Sequence, residues 1–147
     1  MLTRIITGVV GIALAAFVIQ TGGALFAGFA LVLSMLAWFE YARAFHRKGS
    51  NLTFLTGILG LFLLWGCAWL GNADESMAVT TGIVLIVLLE SVLLHGRVSF
   101  VDACTSVAGI LYLGLPFAHM VMLRGLYPET TLTTSLGSFE LGCAMIW

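Results

Sequence analysis

The chain has 147 residues, of which 61% are hydrophobic and only 9% charged, and its formal net charge is -1. A soluble domain carries about 45–50% apolar and about 25% charged residues, so a water-soluble fold of this size is excluded. The small net charge averages over two sides of a membrane, and nucleic acid is not an expected partner.

Five stretches, Ile5 to Ile19, Gly23 to Phe39, Leu52 to Leu70, Met77 to Leu94 and Thr105 to Leu123, are almost wholly apolar. Each is near bilayer-spanning length. None shows the period-two alternation of barrel strands, so each reads as a helix whose backbone satisfies its own hydrogen bonds in lipid. A sixth apolar stretch starts at Phe139 and runs to Trp147 with no polar cap or basic anchor after it, which reads as a cut chain. The expected fold is all-α: a multi-pass transmembrane bundle of five full spans and a truncated sixth. Residues 1–147 form a single transmembrane domain in this reading, the N-terminal portion of a longer one.

Arg4 followed by an apolar run also matches a cleaved signal peptide. The first span nevertheless fits the alternating charge pattern and meets the second through a very short turn, so it is expected to stay. Gln20-Thr21-Gly22-Gly23 makes that turn, its glycines permitting positive φ, and spans one and two should form a helical hairpin. Small residues mark packing faces: Gly8, Gly11 and Ala15 on the first span, Gly23, Ala27, Ala30, Ser34 and Ala37 on the second, Thr53, Gly57 and Gly60 on the third. At the end of the second span Trp38 and Tyr41 suit an interfacial belt. The helix should run beyond the membrane surface to Gly49, with Glu40 and Arg43 spaced to pair. His46 on this extension reads as solvated.

Glu90 lies about one turn from the end of the fourth span. An ionised carboxylate in hydrocarbon costs about 2.5–3.5 kcal/mol even on lenient scales, so Glu90 must face protein, water or a cation, or else snorkel toward the interface or pair with Arg97. His95 to Asp102 reads as a short interfacial connection. Pro116 should kink the fifth span, with Gly109 and Gly114 as further interruptions. Tyr127 to Gly137 reads as a polar loop, and Glu140 as interfacial. Cys67, Cys104 and Cys143 have neither metal-ligand nor disulfide spacing and read as packing residues.

Five of the six basic residues, Arg4, Arg43, Arg47, Lys48 and Arg97, fall at ends that share one side. The other side holds Asp74, Glu75, Glu129 and the single basic residue Arg124. Short Lys/Arg-rich loops stay in the cytoplasm, which places the N-terminus inside. The five basic residues then form a rim at the depth of inner-leaflet phosphates, where each is worth about 1 kcal/mol toward an anionic lipid. They are the candidate lipid-phosphate residues, and Glu90 is the candidate buried acid. No Walker loop, zinc motif or Ser-His-Asp signature is present, and no catalytic, cofactor-binding or metal-ligating residue is assigned.

Leu2-Thr3-Arg4-Ile5-Ile6-Thr7-Gly8, Gly22-Gly23, Trp38-Phe39-Glu40-Tyr41-Ala42-Arg43 and Gly109-Ile110-Leu111-Tyr112-Leu113-Gly114-Leu115-Pro116 occur in an order and spacing that resemble the N-terminal half of bacterial phosphatidate cytidylyltransferases, also called CDP-diacylglycerol synthases. The resemblance implies a multi-pass enzyme of the bacterial inner membrane. It would join CTP to phosphatidic acid at the cytoplasmic face, giving CDP-diacylglycerol and pyrophosphate, with Mg2+ as cofactor. In that family the residues holding metal and nucleotide lie near the C-terminus, beyond Trp147, so none is carried over and the chain alone is expected to be inactive. Expected partners are membrane lipids, phosphatidic acid, CTP through the missing half, and a second copy in a homodimer. The alternative is a non-catalytic membrane subunit that packs against a partner through its small-residue faces.

Overall fold

In a computed structural model the chain is a bundle of α1 (Leu2–Thr21), α2 (Gly23–His46), α3 (Phe54–Leu70), α4 (Ala73–Leu93) and α5 (Phe100–Arg124), followed by β1 (Thr131–Thr134), β2 (Gly137–Glu140) and α6 (Leu141–Ile146). The structure describes residues 2–71, 73–94, 97–125, 131–134 and 137–146, with side chains for 6–71, 74–94, 97–125, 131, 140 and 142–146. The Arg4 side chain, His95 and Gly96 of the α4–α5 connection, residues 126–130 and 135–136 of the Thr-rich segment, and Trp147 lie outside the described residues.

The all-α class holds, and the chain is a membrane protein. Among the described residues α2, α4 and α5 are long and apolar enough to cross a bilayer, while Ile6–Thr21 of α1 and the whole of α3 are shorter apolar segments. The 17 residues of α3 rise about 26 Å at about 1.5 Å per residue, slightly less than the roughly 30 Å hydrocarbon core. Exposed side chains such as Ile12, Leu55, Leu70 and Leu93 then face lipid rather than water.

The core lies where α2, α3, α4 and α5 meet, and α1 packs at the margin against α2 and α6. Trp38 of α2 is its centre, with no exposed surface. Its ring fills space left by two glycines, because a Cβ on Gly57 of α3 would overlap the indole and one on Gly109 of α5 would meet both Trp38 and Tyr41. The indole Nε1 donates to the Phe54 carbonyl at 3.2 Å, and the ring stacks on Tyr41 at 5.8 Å. Tyr41 in turn donates from its hydroxyl to the Thr105 carbonyl at 3.0 Å. Three helices are thereby locked at one end. The expected interfacial role of Trp38 is corrected: small partners on two neighbouring helices admit the large ring into the bundle.

The small-residue faces divide. Ala27, Ala30 and Ser34 are buried, as are Thr53, Gly57 and Gly60. Gly60 receives Ile83, and Gly114 receives Leu61 and Leu64. Gly8 and Gly11 are exposed with no neighbour among the described residues, whereas Ala15, the third member of the stripe on α1, is half-buried. The α5 helix runs without interruption through Pro116, and its glycines serve close packing.

The turn between α1 and α2 is as tight as expected, with Gly22 at φ 61° and Gly23 at φ 55°. Gly22 is required twice over, since a Cβ there would also strike the Arg124 guanidinium. Arg124 is 7% exposed and binds Glu140 at 2.7 Å. It also donates from Nε to the Ile19 carbonyl at 3.0 Å and from Nη2 to the Gln20 carbonyl at 3.4 Å. A cation thus caps the carbonyl-rich end of α1, where the helix dipole favours it. Glu140 ends an antiparallel hairpin in which Thr131 pairs with Glu140 and Thr134 with Gly137. The polar loop and the immediate sixth helix expected here are corrected to this hairpin followed by a six-residue helix. β-branched threonines suit extended backbone, and Glu140 stays exposed while it pairs with the buried Arg124.

Gly57→Ala should destabilise the detergent-solubilised protein by about 1–3 kcal/mol through overpacking against Trp38. Gly28→Ala, which meets nothing within 4 Å, should not. Thermal unfolding followed by tryptophan fluorescence checks the pair, and equal midpoints would refute the Trp38 seat.

Candidate functional site

The polar side chains of the bundle gather at the end where α2 and α4 finish and α3 and α5 begin. Their arrangement starts with local helix chemistry. Ser99-Phe100-Val101-Asp102 is a capping box: the Ser99 hydroxyl accepts from the Asp102 N–H at 3.2 Å, and the Asp102 carboxylate accepts from the Ser99 N–H at 3.1 Å. The Ser50 hydroxyl and the Asn51 N–H also hydrogen-bond to that carboxylate. One turn on, the Ser106 hydroxyl donates to the Asp102 carbonyl at 2.8 Å and accepts from the Thr53 N–H at 3.1 Å. The loop of residues 47–53 is therefore tied to the start of α5.

Glu90, the buried acid singled out from sequence, accepts a hydrogen bond from the Thr56 hydroxyl. Thr56 is the third residue of α3, so the carboxylate lies at the positive end of that helix dipole, which lowers the cost of its charge. Pairing with Arg97 does not occur, since Arg124–Glu140 is the ion pair among the described residues. The second carboxylate oxygen of Glu90 and the Thr53 hydroxyl are buried without a partner.

Of the basic residues at this end, Arg43 and Arg97 each line a hollow. One, of about 340 Å3, is lined by Phe39, Ala42, Arg43, His46, Ser50, Asn51, Leu52 and Phe54. The other, of about 610 Å3, is lined by Ser91, Val92, Arg97, Val98, Ser99, Phe100 and Asp102. Arg43 lies over the Phe39 ring at 4.9 Å rather than pairing with Glu40, and Lys48 lies over Phe45 at 5.8 Å. Arg47 is exposed. The α2 helix ends at His46, and Gly49 turns the chain with φ 88°. The three cysteines are free.

The residues present do not fit the Mg2+ that the resemblance implies. Among the described residues no three His, Cys, Asp or Glu side chains gather. Asp102 is filled by hydrogen bonds from Ser99, Ser50 and Asn51, and Glu90 stands on Thr56. What this end offers chemically is a set of unpaired cations beside apolar walls, suited to holding an anion that also carries an apolar body.

Sequence reasoning passed over the Asp102 network and the Arg124–Glu140 pair. The first had a signal, the Ser-x-x-Asp spacing that opens an apolar run. The second had none, because Arg124 and Glu140 are far apart in pattern and meet only through the hairpin.

Helices that cross lipid, with polar and basic residues collected at one end, define an integral membrane protein built to work at a bilayer surface. The sequence model of the cytidylyltransferase family matches residues 2–147, and the chain belongs to that family, whose chemistry is nucleotidyl transfer. No curated protein and no solved structure matches it.

Thr56→Val should lower stability by about 0.6–2 kcal/mol, the range for interhelical hydrogen bonds in membranes. Adding Glu90→Leu should recover much of that loss, because removing both partners leaves nothing unsatisfied. Unfolding of the single and double variants in micelles checks this, and additive losses would count against it.

Proposed function

We propose that this protein serves in a phosphatidate cytidylyltransferase of the bacterial inner membrane, contributing the side of the enzyme that meets the lipid phosphate. The observation that carries the reading is the family match over residues 2–147 together with Arg43, Arg47, Lys48 and Arg97 at one end of an apolar bundle, none of them in an ion pair among the described residues. Arg4, at the start of α1, is assigned to the same rim.

In the proposed reaction a phosphate oxygen of phosphatidic acid attacks the α-phosphorus of CTP. The bond from that phosphorus to the bridging oxygen of the β-phosphate breaks, and pyrophosphate leaves. CDP-diacylglycerol is the product. The residues described here bind and orient the lipid phosphate. CTP and Mg2+ are assigned to residues other than these, since Glu90 and Asp102 are engaged at helix N-termini and no three His, Cys, Asp or Glu side chains gather among the described residues. Nucleotide is supplied in the cytoplasm, so the basic end and the N-terminus are placed there, in agreement with the positive-inside bias.

Membranes from cells depleted of this protein should lose conversion of radiolabelled CTP and phosphatidic acid into CDP-diacylglycerol, and re-expression should restore it. Unchanged conversion would overturn the substrate assignment, and unchanged conversion with a stably co-purifying membrane partner would favour a non-catalytic subunit. For the sidedness, a single Cys at Lys48, in a chain cleared of its three native cysteines, should resist a membrane-impermeant maleimide applied to the periplasmic face, whereas one at Glu75 should react. Labelling at position 48 from outside would invert the topology.

A further inference from the structure

The acids that touch the bundle are satisfied unequally. Asp102 accepts from Ser99, Ser50 and Asn51, and Glu140 has Arg124 as its counter-charge. Glu90 has one hydrogen bond, from the Thr56 hydroxyl to Oε1, while its Oε2 is buried with no partner. No cationic side chain reaches it among the described residues: Arg97 forms no ion pair, and Arg43 lies over the Phe39 ring. The next polar side chain on α4 does not help, because the Ser91 hydroxyl donates to the Leu88 carbonyl at 2.7 Å.

A second oxygen is stranded at the start of α3. Thr53 stands at the N-cap position of that helix, yet its hydroxyl makes no capping bond. The residue is 8% exposed, and its Oγ1 is buried without a partner. Its N–H is already given to the Ser106 hydroxyl at 3.1 Å. Thr53 and Thr56 are three positions apart, the spacing of neighbours on one helix face, so the idle hydroxyl and the one that holds Glu90 belong to the same turn. Trp38 keeps that turn inside the bundle by donating to the Phe54 carbonyl at 3.2 Å. Buried polar atoms are rarely left unpaired, and a carboxylate in an apolar span needs compensation. An idle carboxylate oxygen and an idle hydroxyl at one turn point to a ligand that both can share.

We propose that this turn binds one monovalent alkali cation, held by Glu90 Oε2 and the hydroxyl oxygens of Thr53 and Thr56. Thr56 gives its proton to Oε1 and keeps its oxygen lone pairs, so it serves the carboxylate and the ion together. All three ligands are hard oxygen donors, the kind that such cations take. One carboxylate balances one positive charge, whereas a divalent ion would leave a net charge buried among apolar helices. The ion joins α4 to the first turn of α3, and through Thr53 and Ser106 it steadies the seam with α5. This site does not rest on the substrate assigned above, since it is read without CTP or lipid phosphate.

The test uses the full chain in a neutral detergent, freed of sodium and potassium and kept in choline chloride. Exchange into sodium or potassium chloride at equal ionic strength should raise the thermal midpoint by about 3–6 °C. Equilibrium dialysis should retain a single radiolabelled sodium or rubidium ion per chain. Glu90→Gln should abolish both effects, and Thr53→Val should weaken retention about three- to tenfold. Glu75→Gln, in the first turn of α4 at the opposite end of that helix, should change neither. Wild-type protein that retains no label would overturn the proposal and leave the two oxygens to a water molecule or a proton. Retention that survives Glu90→Gln would overturn it in favour of ions held at the surface. Should Glu90→Gln fail to fold, Thr53→Val decides, because it leaves the carboxylate in place: unchanged retention in that variant overturns the site.

Discussion

Trp38 in the gap between Gly57 and Gly109 fixes the position of everything at the polar end. In lipid, helices gain little from hiding apolar surface against one another, and close packing with interhelical hydrogen bonds must hold them. The indole supplies both. It brings α2, α3 and α5 to contact distance and hands its N–H to the Phe54 carbonyl, at the start of α3. With α3 begun at that height, Thr53 meets Ser106 and Thr56 meets Glu90. Loop 47–53 then closes onto α5 through Ser50, Asn51 and Thr53.

Much of this was legible from residues. Apolar runs gave the helices because lipid admits no unsatisfied backbone, and the two glycines after Thr21 gave the tight turn. The buried faces of α2 and α3 followed from small residues at helical spacing. The same signal misled on α1, where Gly8 and Gly11 are exposed, because a small-residue stripe says that a backbone can approach without naming one. Trp38 was misplaced for the complementary reason. Its burial depends on glycines 19 and 71 positions away, a coincidence of three helices that no local pattern encodes. At the candidate site the basic residues were found, but the placing of Arg43 and Arg97 in separate hollows depends on how the loop folds against Asp102.

The charges obey one rule at both ends of the bundle. Acids stand at helix N-termini, Glu90 at the first turn of α3 and Asp102 at that of α5. The one buried cation, among the described residues, stands at helix C-termini, with Arg124 ending α5 and capping the last carbonyls of α1. Helix dipoles favour both placements, and backbone groups that lack intrahelical partners are satisfied at the same time. A charged side chain in a thin apolar bundle is thus made tolerable by the nearest helix end rather than by a distant counter-ion.

That rule separates the two faces of the protein. At the Arg124 end the cation is consumed: Glu140 and two carbonyls take its donors, and little remains for a ligand. At the opposite end Glu90 and Asp102 are engaged at helix N-termini and Glu40 is exposed, while Arg43, Arg47, Lys48 and Arg97 form no ion pair among the described residues. Arg43 and Lys48 rest on aromatic rings, and Arg43 and Arg97 line hollows. Anion recognition at a bilayer surface requires this surplus. It arises because five of the six basic residues fall at this end while Glu90 and Asp102 are engaged by hydrogen bonds from Thr56 and from Ser99, Ser50 and Asn51, so a chain with a net charge of only -1 gathers positive charge at one end.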